Sequence, residues 1–118
     1  MTDLIEVTTT CACQATARKL ADQLVQAGLA ACLQITGPIE SVYRWQGEIQ
    51  RQAEWSCKIK SLRSQTESLI AFISQHHAYE IPEILIHQVV AANTAYQQWV
   101  RGEVVSPANR ESEIETET

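Results

Sequence analysis

The stretch that most constrains this chain runs from Gly28 to Lys60. It reads Gly-Leu-Ala-Ala-Cys-Leu-Gln-Ile, then Ser-Val-Tyr-Arg-Trp-Gln-Gly-Glu-Ile, then Glu-Trp-Ser-Cys-Lys-Ile-Lys. Two strand-like arms flank Gln46-Gly47, where glycine permits the positive φ that a tight reversal needs. The first arm spans about 30–44. Its side chains alternate, Ala31, Leu33 and Ile35 against Ala30, Cys32 and Gln34. Pro38 cannot donate a ladder bond, so Gly37-Pro38 predicts a bulge or kink, after which Ile39–Tyr43 resumes the strand pattern. The return arm, about 48–60, turns Trp55, Cys57 and Ile59 toward a core and Ser56, Lys58 and Lys60 away from it. At about 3.3 Å per residue such arms outrun a small domain, and a two-stranded ribbon is unstable alone. The ribbon is therefore expected to pack against another subunit.

The elements around the hairpin follow from periodicity. Leu4–Thr10 is a β-branched run and predicts a strand. Residues 12–28 change to helical spacing, with Ala17, Leu20, Ala21, Leu24 and Val25 on one face and Gly28 as the terminator. Ser64-Gln65-Thr66-Glu67 has the form of a capping box. It opens a helix whose apolar face is Leu69, Ile70, Phe72 and Ile73, extending to His76, and which must end before Ile81 because Pro82 follows. Glu83–Val90 predicts a strand with Ile84, Ile86 and Val90 on one side. Asn93 is placed to cap a last short helix carrying Tyr96, Trp99 and Val100, closed by Gly102. The order β-α-β-β-α-β plus a helix specifies the α+β class, a ferredoxin-like sandwich. Residues 1–103 are expected to form that domain and 104–118 an acidic, disordered tail.

Length and charge exclude several function classes. At 118 residues the chain holds one domain with a real core. Its net charge of −5 lacks the basic face that nucleic acid requires. Glu111, Glu113, Glu115 and Glu117 in the tail contribute much of that charge. No apolar run approaches the roughly 20 residues of a membrane span, and Met1-Thr2-Asp3 does not begin a signal peptide. A cytoplasmic location with four reduced cysteines is the expectation.

The candidate chemistry is sparse. His76 to Glu83 is the densest group of ionisable residues and offers an imidazole with Glu80 and Glu83; the plainer reading is a solvated loop. Cys32 offers a soft thiolate suited to copper or zinc, or is simply a small buried hydrophobe. Cys11-x-Cys13 falls at a strand-to-helix turn, where two thiols either bind a soft metal or merely cap the helix. Lys58, Lys60 and Arg44 form either a cationic patch for a small anion or the polar face of the ribbon. Tyr43 and Trp45, near the hairpin tip, are either large amphipathic contact residues or part of the hairpin's own packing. There is no GxGxxG, Walker loop, GxSxG or HExxH, and no residue is marked as a nucleophile. No enzyme activity and no organic cofactor are indicated.

Several linked segments nonetheless resemble one family. Leu29–Ile35, Ser41–Ile49, Glu54 with Lys58-Ile59-Lys60, His77–Ile84 and Tyr96–Val100 are similar, in order and spacing, to the CutA1 divalent-cation tolerance proteins. The resemblance covers roughly residues 4–102. It implies a ferredoxin-like fold in a homotrimer similar to the PII signalling proteins, with a role in tolerance of copper or another divalent cation. It also implies a metal site at Cys32, His77, Glu80 and Glu83. Ala78 stands where the family usually has proline. The alternative implied by the PII likeness is a sensor of a small anionic metabolite or partner protein, in which Lys58, Lys60 and Arg44 would matter more than Cys32.

Overall fold

The computed structural model describes residues 1–105. Its elements are β1 (Leu4–Cys11), α1 (Gln14–Gln26), β2 (Cys32–Trp45), β3 (Glu48–Leu62), a 3-10 turn (Arg63–Gln65), α2 (Thr66–His76), β4 (Leu85–Gln88) and α3 (Thr94–Glu103). The strands form one antiparallel sheet in the order β2-β3-β1-β4. The α+β, ferredoxin-like architecture expected from the element order is the one found. Residues 106–118, most of the acidic tail, lie outside the described residues.

Strand alternation divides the sheet into two faces. Ile5, Val7 and Cys11 of β1 and Cys57 and Ile59 of β3 pack against Ala17, Leu20 and Leu24 of α1 and Leu69 and Ile73 of α2. Full burial of each large aliphatic there stabilises the fold by about 1.5–3 kcal/mol. The alternate positions point the other way. Leu4, Ala31, Val100 and Val104 make a smaller cluster with Leu62 and Tyr96, so α3 covers one end of the second face. The rest of that face is open.

The helix α1 ends as its glycine predicts. Gly28 has φ +72°, its N–H donates to Val25 O, and Leu29 N–H donates to Leu24 O, the paired bonds of a Schellman close. Val105 N–H then donates to Gly28 O at 2.9 Å, and Gln65 Nε2 donates to Val105 O at 2.8 Å. These bonds tie the chain into the body as far as Val105.

The hairpin is as long as expected and reverses at Gln46-Gly47, both with positive φ. The bulge at Gly37-Pro38 is also present. Thr36 pairs with Ser56 and Ile39 with Glu54, so β2 carries one residue more than β3 across this point.

Three local expectations fail. The capping box does not form: the 3-10 turn uses Ser64 and Gln65, Gln65 becomes the residue before α2 without a side-chain cap, and Thr66 Oγ1 donates back to Arg63 O. The last strand is only Leu85–Gln88, and Val90 is 71% exposed. Thr10 O, a carbonyl farther along β1, is taken by a histidine ring, and past Gln88 the ladder gives way to bonds among Thr2, Leu4, Gln88 and Val89. Gly102 does not close α3, which continues to Glu103; Asn93 precedes it without a side-chain cap.

Candidate functional site

The bulge decides which side chains meet. Before it, odd-numbered residues of β2 such as Leu33 and Ile35 pack toward the helices. The extra residue reverses the alternation. Beyond it, Ile39, Ser41 and Tyr43 line the opposite side, together with Gln52, Glu54 and Ser56 of β3. The segment after α2 closes over them with Tyr79, Glu80, Ile81 and Glu83. The result is a groove of about 760 Å³ beneath the hairpin, with Arg44 and Trp45 at its outer end.

His77 fixes this closing segment. Its Nδ1 accepts the Tyr79 N–H at 3.1 Å, so Nε2 carries the proton and donates to Thr10 O at 2.7 Å. The ring is thereby assigned as the neutral Nε2–H tautomer by its two partners. The Tyr79 hydroxyl donates to Glu54 Oε2 at 2.7 Å and accepts from Gln52 Nε2 at 3.0 Å. Gln52 Oε1 in turn accepts from Tyr43 at 2.7 Å. The chain of bonds runs in one direction, from Tyr43 through Gln52 and Tyr79 to Glu54.

Glu54 is only 6% exposed. Burial pushes its carboxyl upward, but hydrogen bonds from Ser41, Tyr79 and Thr10 outweigh that and hold it below the usual carboxylate range. Burial, with Glu54 beside it, pushes the Tyr79 phenol well above its ordinary value. The groove therefore holds a buried carboxylate flanked by the exposed Glu80 and Glu83, a surface suited to a cation or a hydrogen-bond donor.

The four residues implied as a metal site are not brought together within one chain. Glu80 and Glu83 line the groove, but both His77 ring nitrogens are engaged. Cys32 pairs with Lys60, whereas Thr10 pairs with Ser56. That offset along β3 is about 13 Å at roughly 3.3 Å per residue. Among the described residues, no three His, Cys, Asp or Glu side chains converge to hold a metal ion. The cationic patch is dispersed as well. Lys60 Nζ lies 2.6 Å from Glu6 Oε2, and Arg44 pairs with Ile49 at the hairpin tip, about 30 Å along β3 from Lys58. The residues that sequence reasoning did not assign to a site are Gln52, Glu54 and Ser41. Gln52 and Glu54 continue the polar side of the return arm formed by Ser56, Lys58 and Lys60, and nothing in that alternation sets them apart.

Sheet order, long ribbon and carboxylate-lined groove define a class: a ferredoxin-like α+β domain with an open sheet face. The particular family is given by comparison. The family model of the CutA1 divalent ion tolerance protein matches residues 5–103, and the chain belongs to that family. The divalent-cation tolerance protein CutA of Pectobacterium atrosepticum is 32% identical over 83% of this chain and 89% of that protein. The chloroplastic protein CutA of Arabidopsis thaliana is 36% identical over 71% of this chain, which spans only 46% of that longer relative. The structure of CutA from Synechococcus elongatus superposes with a TM-score of 0.85 at 38% identity, covering 89% of this chain and 93% of that one. The family is one of divalent-ion tolerance proteins. Among the described residues no helix is long and apolar enough to cross a membrane.

Proposed function

We propose that this chain acts in divalent-cation tolerance as a cytosolic cation-binding protein, with copper the foremost candidate, and that it does so as a homotrimer. Family membership over residues 5–103 carries the reading. Assembly is supported by apolar side chains left in water: Ile49 at 66%, Ile81 at 70% and Leu85 at 48% exposure stand on the ribbon, the groove rim and the open sheet face. The four cysteines, all free, suit a reducing compartment.

Glu80 and Glu83 are the donors assigned to the bound cation, with Glu54 behind them. The donor set of one chain is short of a closed coordination sphere, which fits a site completed by a neighbouring copy. Cys32 would be that copy's soft contribution, and His77 acts by holding Tyr79. Native mass spectrometry and calorimetric titration with Cu(II) test this together. A trimer is expected, with affinity lowered at least tenfold in Glu80→Gln/Glu83→Gln and in Cys32→Ala/His77→Ala. A monomer at micromolar concentration removes the assembly. Unchanged affinity in both double variants removes the site.

A further inference from the structure

Glu54 is the only deeply buried charged side chain among the described residues. The ion pairs there are Arg51 with Glu40, Lys60 with Glu6 and Arg101 with Asp3, so no Lys or Arg neutralises Glu54. Its Oε2 accepts the Tyr79 hydroxyl at 2.7 Å, and the bond chain behind Tyr79 begins at Tyr43. Those bonds solvate the charge without cancelling it. Buried charges are ordinarily paired or coordinated to a metal, so Glu54 calls for a cationic partner from outside the described chain. The groove it faces is larger than a single ion requires. Its volume of about 760 Å³ lies within the range of small-molecule sites. It follows β2 from Ile39 to Trp45, a run of about 20 Å. Three carboxylates, Glu54, Glu80 and Glu83, line it against one guanidinium. That guanidinium, on Arg44, stands at the outer end with Nη1 3.5 Å from Gly47 O. Tyr43, Tyr79 and the exposed Ile81 give the wall its apolar part.

We propose that this groove binds a linear aliphatic polyamine, with one ammonium on Glu54 and a second at Glu80 and Glu83. An alkyl amine resembles the lysine head group, which is protonated at neutral pH, and a primary ammonium brings three N–H donors. Its hydrogen bond to a carboxylate is of the charge-assisted kind. The tyrosine rings attract the same cation through their faces, and the methylene chain covers Ile81 and the rings from water. Other ligand classes match less of the wall. A bare divalent cation would engage the carboxylates and leave the apolar part in water. An anionic metabolite would meet three carboxylates. A quaternary ammonium has no N–H to give Glu54. The polyamine site shares Glu80 and Glu83 with the divalent-cation donors, but it is anchored on Glu54 and requires neither bound metal nor assembly.

Calorimetric titration of the intact chain with spermidine tests it, at neutral pH and low salt after dialysis against a chelator. One equivalent per chain is expected to bind. Glu54→Gln and Glu80→Gln/Glu83→Gln should each weaken binding at least tenfold. Glu40→Gln removes a like charge that alternates with Ser41 and stays outside the groove, and should leave binding within twofold. Hexamethylenediamine should bind at least tenfold more tightly than its permethylated form, hexamethonium, and hexanediol should give no binding heat. Thermal unfolding identifies any variant that fails to fold; Glu80→Gln/Glu83→Gln, at two exposed positions, decides the matter should Glu54→Gln do so. Unchanged affinity in folded Glu54→Gln, or equal binding of hexamethonium and hexamethylenediamine, overturns the proposal. So does the absence of saturable binding to the intact chain, the result expected if a side chain of a second copy fills the groove. Because the titration is free of metal, none of these outcomes turns on whether Glu80 and Glu83 bind a divalent cation.

Discussion

Tyr79, from the loop after α2, donates its hydroxyl proton to Glu54 on β3 at 2.7 Å and thereby pins that loop to the hairpin. The acceptor is a buried carboxylate, so the bond belongs to the stronger, charge-assisted kind. Tyr79→Phe is expected to destabilise the protein by about 1.5–3 kcal/mol, measured by urea unfolding at neutral pH.

The same carboxyl gives a pH dependence with a definite sign. The folded state holds Glu54 below its unfolded value, so the folded state binds the proton less well. Its contribution is complete above the unfolded value, about 4.3, and is lost as pH falls through the lower folded value. Acid unfolding should begin below that point. Tyr79→Phe should flatten the slope of stability against pH there, and an unchanged slope would show that Glu54 is not the group responsible.

Lys60 and Glu6 make a close ionic contact, at 2.6 Å on the open sheet face. The Lys60 hydrogen bond holds the Glu6 carboxyl below the usual range. Both side chains are partly covered, so the pair falls between an exposed ion pair and a buried one. A double-mutant cycle with Lys60→Met and Glu6→Gln is expected to give a coupling of roughly 1 kcal/mol.

Two glycines should respond in opposite directions to the same substitution. A Cβ on Gly28 would meet Val105 Cγ2 at 2.6 Å on a backbone with φ +72°, so Gly28→Ala should cost about 1–3 kcal/mol. Gly102 lies within α3 and a Cβ there meets nothing within 4 Å, so Gly102→Ala should stabilise by about 0.5–1 kcal/mol. Thermal melts of the two variants on either side of the parent give the check.

Association should depend on the exposed apolar residues. Leu85→Glu on the open sheet face and Ile49→Lys near the hairpin tip each place a charge where a neighbouring copy is proposed to sit. Light scattering is expected to report smaller particles for both, with far-ultraviolet circular dichroism unchanged. Full-sized assemblies in both variants would move the interface elsewhere.

What the sequence made legible was local and periodic. Gln46-Gly47 announced the turn, Pro38 the bulge, and Ala17, Leu20 and Leu24 the buried stripe of α1. The capping box misled because Ser64 and Gln65 had a second use in a 3-10 turn, which only the packing of α2 selects. The last strand was overextended because its hydrophobic run continues where the ladder does not. Glu54 stayed hidden for a different reason. Nothing adjacent to it in sequence shows that Tyr79, Ser41 and Thr10 will supply its hydrogen bonds from three other segments. Cys32 and His77 were joined in one site by the family resemblance, which gave no measure of the strand length between them.

The bulge between Thr36 and Ile39 behaves like a shift of reading frame. One residue more or fewer there would leave the hairpin's length almost unchanged yet exchange its two sides, turning Glu40 toward the groove and Ser41 away from it. In aligning relatives of this chain, a single gap at that point carries more structural meaning than several substitutions along the arms. An alignment that places the gap a few residues off would assign the groove to the wrong face.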